Sequence, residues 1–172
     1  TAFAHRRLAE RSSAAAMTAE MALYWGSKGK GLLDRLSELY GMHGYFAELA
    51  ISKTFKGAEG MDTMRSIMAG HRQKQFESLG GMKVILIRDF STLTEWAPGI
   101  PGRPIAFPAS DAIQWYLEDG SWVTVRPSGT EPKIKYYACV QADARSGLAA
   151  AKEAAAAKIK AIEAQIQLVI GQ

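Results

Sequence analysis

The chain has 172 residues. At roughly 150 residues per domain this is one domain, or one domain with a piece of a second, and it excludes a large multidomain enzyme. With 48% hydrophobic residues and a net charge of +4, the composition is that of a globular chain able to build a core. It lacks the clustered basic excess that nucleic-acid binders usually show.

In chain order, Arg11–Trp25 is Ala- and Met-rich, with Ala14, Met17, Met21 and Tyr24/Trp25 at helical spacing before Gly26 and Gly29 interrupt. A second helix is predicted with Leu32, Leu33, Leu36, Leu39 and Tyr40 on one face, closed by Gly41 and Gly44. Tyr45–Phe55 reads as a strand. The turn 56–60 leads into a helix bearing Met61, Met64, Ile67, Met68 and Phe76. Met82–Phe90, with Val84–Ile87 at its centre, is a buried strand. The prolines at 98, 101, 104 and 108 make 97–108 a loop. Ile113–Glu118 and Trp122–Val125 form a hairpin around Asp119-Gly120, and Lys133–Val140 is a further strand. Asp143 is the expected N-cap of a long Ala-rich helix whose apolar stripe is Leu148, Ala151/Ala155, Ile159, Ile162, Ile166 and Val169. These elements predict an α+β fold in two layers, with helices on one face of a mostly antiparallel sheet.

The lone cysteine, Cys139, excludes an internal disulfide, suits a reducing cytoplasm and reads as a small buried hydrophobe. No apolar run is long enough to span a membrane, so the expected location is cytoplasmic with no membrane partner. The start at Thr1 carries no initiator Met and reads as the middle of a longer sequence. His5, His43 and His71 stand apart from one another and are assigned to surface or packing roles.

Chemistry concentrates between two strands, in Arg126-Pro127-Ser128-Gly129-Thr130-Glu131-Pro132-Lys133-Ile134-Lys135. A guanidinium offers a planar fork to phosphate oxygens, the two hydroxyls donate hydrogen bonds, and Gly129 permits backbone conformations that turn N–H groups toward an anion. Pro127 and Pro132 stiffen the shoulders. Judged by residue type alone, the segment is equally a phosphate cradle or a plain turn with solvated charges.

The whole string resembles the phosphate-binding loop of the α-D-phosphohexomutases, the phosphoglucomutase and phosphomannomutase family. Together with Glu118-Asp119-Gly120-Ser121-Trp122 upstream, it looks like the branch acting on glucose phosphate or pentose phosphate. Gly29-Lys30-Gly31-Leu32-Leu33-Asp34, Leu39-Tyr40, Gly44-Tyr45, Lys56-Gly57 through Gly60 and Ile67-Met68 extend the likeness over most of the chain. It implies that 1–42 are the last helices of a third domain and 43–172 a fourth, TATA-binding-protein-like α+β domain. It further implies that Arg126, Ser128, Gly129 and Thr130 hold the non-transferred phosphate of a phosphosugar. Lys135 stands where many members carry an arginine, Lys133 supports the local positive field, and Glu131 tethers Lys133 or a backbone N–H.

Several parts of that family's machinery are missing. The six aspartates lie at 34, 62, 89, 111, 119 and 143, so no Asp-x-Asp-x-Asp magnesium loop exists. Neither Ser-Gly pair, 128–129 or 146–147, is followed by His, so the sugar-hydroxyl loop is absent as well. The resemblance therefore implies an enzyme whose magnesium ion and sugar bisphosphate intermediate are handled by its remaining domains. This chain would be inactive alone, with no catalytic residue and no metal ligand of its own. An alternative class is a stand-alone anion- or nucleic-acid-binding α+β module, in which Trp115, Tyr116, Trp122, Tyr136 and Tyr137 could stack on bases. Core packing is the commoner use of such residues, so no nucleic-acid partner is expected. A structural interaction domain with a vestigial loop is a third reading. Met17, Met21 and the Leu32–Leu39 face are expected to be exposed and to favour dimerisation of the chain.

Overall fold

The computed structural model describes residues 2–57 and 59–171, with side chains from residue 13 onward. Two N-terminal helices, α1 (Ala2–Gly26) and α2 (Leu32–His43), precede the sheet. The rest of the chain runs β1 (Tyr45–Thr54), α3 (Gly60–Gln73), β2 (Ser78–Leu79), β3 (Met82–Asp89), β4 (Thr94–Trp96), β5 (Arg103–Pro104), β6 (Ile113–Leu117), β7 (Trp122–Pro127), β8 (Lys133–Ala142) and α4 (Leu148–Ile170). The strands form one antiparallel sheet in the order β1-β8-β7-β6-β3-β4-β5, with β2 paired to β3. The fold is α+β, as the pattern predicts.

Strict alternation makes the sheet two-sided. In β8, Ile134, Tyr136, Ala138, Val140 and Ala142 are buried, while Lys133, Lys135, Tyr137, Cys139 and Gln141 face the other way and stay partly open. Val123 and Val125 of β7 and Ile113, Trp115 and Leu117 of β6 continue the closed face. Two helices cover that face. α4 brings Ala151, Ala155, Ile162, Ile166 and Ile170 against β1 and β8, and α3 brings Met64, Met68 and His71 against β7 and β8. Burying side chains of this size stabilises by about 1.5–3 kcal/mol each, which is why a short chain can hold so long a sheet.

Glycine shapes two junctions. Gly44, at φ 93°, donates its N–H to the Tyr40 carbonyl at 2.9 Å and turns α2 directly into β1. Gly120, at φ 87°, closes the β6–β7 hairpin while Asp119 accepts the Ser121 N–H and hydroxyl at 3.0 and 2.9 Å. An L-residue rarely adopts such angles.

The sequence expectations are corrected in several places. α2 continues through Gly41 and stops only at Gly44. α3 ends at Gln73, so Phe76 lies beyond it, with its ring 5.2 Å from that of Trp115. The proline-bearing stretch is not wholly loop, since Pro104 belongs to β5. That strand is an edge, where a missing N–H costs no ladder bond. Asp143 does not cap α4, whose N-cap is Gly147. Its carboxylate instead accepts the Arg145 N–H at 2.9 Å and pairs with the Arg145 guanidinium at 2.6 Å, a local turn that competes with capping. Arg145 holds the Asp143 carboxyl down at about 2. Cys139 faces the open side and is only half-buried; burial and then the Glu48 charge push its thiol up. The side chain of His5 and all of Ala58, within the expected turn, lie outside the described residues.

Candidate functional site

Residues 126–135 join β7 to β8, and the register decides what they present. Val125 pairs with Tyr136, Arg126 with Lys135, and Pro127 with Ile134. Because Val125, Ile134 and Tyr136 point into the core, Arg126 and Lys135 emerge side by side on the helix-free face. Directly opposed residues on antiparallel strands have Cβ atoms only about 5 Å apart, and like charges there repel. Across the next strand Ser52 of β1 pairs with Lys135, and Thr54 pairs with Lys133.

Neither Arg126, Lys133 nor Lys135 has a carboxylate partner among the described residues. Elsewhere, on α3 and on the sheet, arginines are neutralised. Arg72 pairs with Asp89 at 2.8 Å and Asp111 at 2.5 Å, and Arg88 and Arg103 share Glu95 at 2.6 Å each. Hydrogen bonds from Arg88 and then Arg103 keep the buried Glu95 carboxyl below its ordinary value. The contrast isolates one positive cluster without a counter-charge.

The loop itself is held at both shoulders. The Ser128 N–H donates to the Lys133 carbonyl at 2.7 Å, the Lys133 N–H to the Glu131 carbonyl at 2.7 Å, and the Phe55 N–H to the Pro132 carbonyl at 2.8 Å. Pro132 also meets the start of α3, where a Cβ on Gly60 would sit 3.1 Å from the Pro132 Cβ and 2.9 Å from the Phe55 carbonyl oxygen. Between these anchors the N–H groups of Gly129 and Glu131 make no backbone hydrogen bond to described residues. Thr130 N–H reaches the Ser128 Oγ at 3.5 Å, a weak contact. The segment Arg126–Gly129 lines a cavity of about 530 Å³ whose other walls include Met61, Met64 and Arg65 of α3.

Two expectations about this loop change. Gly129 is not in the left-handed region, and a Cβ there would meet nothing within 4 Å, so its small size clears an approach path and does not serve a special turn. Glu131 tethers Lys133 through its carbonyl; its carboxylate binds none of the described residues. The six expected residues thus lie in one loop and its two flanking strands. Ser52, Thr54 and Arg65 are neighbours that sequence reading missed. They come from distant segments, and only the β1–β8 register and the placement of α3 reveal them.

The aromatic residues divide between the two faces. Trp115 and Tyr136 are fully buried and closed to any stacking partner, whereas Tyr116, Trp122 and Tyr137 lie on the open face. Tyr116 accepts a hydrogen bond from Arg88 at 2.8 Å. His71 is a buried packing residue and His43 an exposed one. No helix among the described residues is long and apolar enough to cross a membrane.

Comparison with known proteins places the chain in a family. The family model for the phosphoglucomutase/phosphomannomutase C-terminal domain matches residues 55–158. That span runs from the end of β1 into α4 and contains the entire loop, and the chain accordingly belongs to the phosphoglucomutase/phosphomannomutase family and carries its C-terminal domain. It is 31% identical over 118 residues to a phosphoglucomutase of Staphylococcus haemolyticus, covering 68% of this chain and 21% of that protein. It is also 35% identical over 120 residues to the Staphylococcus saprophyticus phosphoglucomutase, covering 64% of this chain and 21% of that protein. A Staphylococcus aureus phosphoglucomutase matches at 34% over 119 residues, covering 69% of this chain and 21% of the relative. The chain spans about a fifth of the length of these relatives.

Proposed function

We propose that residues 126–135 bind the phosphate group of a phosphosugar and hold it while chemistry occurs elsewhere on the sugar. The observation that carries this reading is the pairing of Arg126 with Lys135 on the open face without a counter-ion, at a loop whose tip leaves N–H donors free. Holding two cations opposite each other is unfavourable until an anion bridges them. Arg126 would grip two phosphate oxygens with its fork, Lys135 and Lys133 would add charge, and Ser128, Thr130 and the N–H groups around Gly129 would donate to the remaining oxygens.

Within a phosphoglucomutase-type intramolecular phosphotransferase, such a clamp would orient the sugar and fix the phosphate that is not being transferred. Residues 1–42 would then be the end of a preceding domain, and the remaining domains would be partners of this one. The described residues contain no group of three or more His, Cys, Asp or Glu that could hold a metal ion. The ligands of a magnesium ion are proposed to lie on the remaining domains, and a sugar bisphosphate would present one of its phosphates to this loop. The chain alone is proposed to bind and not to convert.

Titration of the isotopically labelled chain with inorganic phosphate and glucose 1-phosphate tests the reading by NMR. Shifts confined to Arg126–Lys135 and the facing Ser52 and Thr54 are expected, with no glucose 6-phosphate formed. Shifts spread over Tyr116, Trp122 and Tyr137 on adding an oligonucleotide, with none at the loop on adding phosphate, would overturn it.

A further inference from the structure

On the helix-covered side of the sheet a second cavity of about 550 Å³ opens beside α3 and the end of α4. Its walls include Ile67, Phe76 and Val169; of the polar residues, Thr63 and Gln75 are engaged with the Glu59 carbonyl and the Trp115 indole, and Ser66, His71 and Lys74 remain. The size is that of a small-molecule site. What makes it more than a surface dent is His71, which is 4% exposed and held by ring contacts from Phe76, Trp115 and Tyr136.

The protons of this cluster can be assigned by elimination. His71 Nε2 lies 2.7 Å from the Tyr136 hydroxyl, and that hydroxyl has no other partner among the described residues. Burial pushes the Tyr136 phenol up, so it keeps its proton, and burial followed by the Arg72 charge lowers the His71 imidazole to about 4, so at neutral pH the ring carries one proton. If Nε2 carried it, the phenol proton would be stranded in the core at a cost of about 1–3 kcal/mol. Tyr136 therefore donates to Nε2, and the imidazole proton sits on Nδ1. Nδ1 has no hydrogen-bond partner among the described residues, yet no fully enclosed side-chain nitrogen or oxygen there lacks one. Nδ1–H accordingly reaches accessible space, and the cavity that His71 lines is that space.

An N–H donor at the base, a Ser66 hydroxyl and a Lys74 ammonium without partners among the described residues, and apolar walls define the complement of one class of ligand. We propose that this cavity binds a small monocarboxylate with a flat or branched apolar body, the carboxylate meeting His71 Nδ1–H and Lys74 and the body lying on Ile67, Phe76 and Val169. The assignment is independent of the phosphate reading, since the two cavities share no lining residue.

Phenylacetate is a suitable probe, with 2-phenylethanol as its uncharged counterpart and inorganic phosphate as a bare anion. At roughly ten heavy atoms it should bind in about the millimolar range. Binding should shift the His71 imidazole nitrogens and change the fluorescence of Trp115, whose ring centroid is 5.3 Å from that of His71. Lys74→Glu, at an exposed position, should weaken phenylacetate about fivefold, and Val169→Trp, which fills the cavity, should abolish binding. The proposal is overturned if phosphate shifts His71 equally, if 2-phenylethanol binds as tightly as phenylacetate, or if phenylacetate perturbs only Arg126–Lys135. Unchanged affinity in Lys74→Glu would also overturn it.

Discussion

At the scale of single residues the two sites make opposite demands on charge. Arg126 is exposed and unpaired, so replacing it with alanine removes no contact the fold depends on. It even relieves the repulsion from Lys135. Arg126→Ala should leave the melting temperature unchanged or slightly raised and weaken phosphate binding by about 10- to 100-fold, the worth of a charged hydrogen-bonded pair at 1.5–3 kcal/mol. Calorimetric titration beside a thermal melt checks both halves, and an unaltered affinity would remove Arg126 from the site. Lys135→Ala should cost less, because an ammonium is a point charge without a fork. Gly129→Ala should fold normally, as its Cβ has open space, and yet crowd the approach to the loop.

His71 gives a pH dependence whose direction follows from its burial. In the folded chain the imidazole is held down to about 4, against an ordinary value of 6.5, because burial penalises its charge. The unfolded chain therefore binds the extra proton first as the pH falls. This contribution to stability is fully present above pH 6.5, declines between 6.5 and 4, and levels off below 4, where both states are protonated. The total is on the order of 3 kcal/mol. Thermal melts of the wild type should show this slope and those of His71→Gln should lack it, whatever the variant's baseline stability.

At the scale of elements, the junction between α3 and the phosphate loop is the sensitive one. Gly60 begins the helix, and there is no room for a side chain between it and Pro132 or the Phe55 carbonyl. Gly60→Ala should force either the helix start or the loop to move, costing about 1–3 kcal/mol and shifting the backbone resonances of Glu131–Lys133. A variant with wild-type stability and unmoved loop signals would show that the two elements are not coupled. Long periodic elements were legible without coordinates: β1, β3, β8 and α4 carry enough alternating or helical positions to declare themselves. The two- and three-residue strands β2, β4 and β5 were not, since a period cannot be read from so few positions and Pro104 argues against a strand unless the edge is already known. The misplaced cap of α4 has a similar cause. Asp143 has the right chemistry for a cap, but Arg145 two residues later captures its carboxylate, a choice settled by local geometry and not by residue type. Of the loop, residue identity gave the donors and the family likeness gave the role proposed for them. The cross-strand neighbours Ser52 and Thr54 required the register.

At the scale of the whole molecule, the N-terminal helices are the least satisfied part. α1 is tied to α2 through the Arg35 guanidinium stacked on the Trp25 ring at 4.8 Å, and α2 touches α4 and β1 only lightly. Their apolar residues point outward: Leu33 is 78% exposed, Leu23 76%, Met17 63% and Met42 59%. An apolar surface of this kind is covered in most stable proteins, and a second copy of the chain offers matching chemistry. Sedimentation of the chain should therefore show concentration-dependent self-association, and Met17→Glu combined with Leu33→Glu should return it to a monomer. Because these positions lie outside the core, the double variant should keep the phosphate response of residues 126–135 and the melting transition of the sheet. A chain that stays monomeric at every concentration would show that α1 and α2 cover each other well enough alone, and would separate the exposure of these side chains from any tendency to pair.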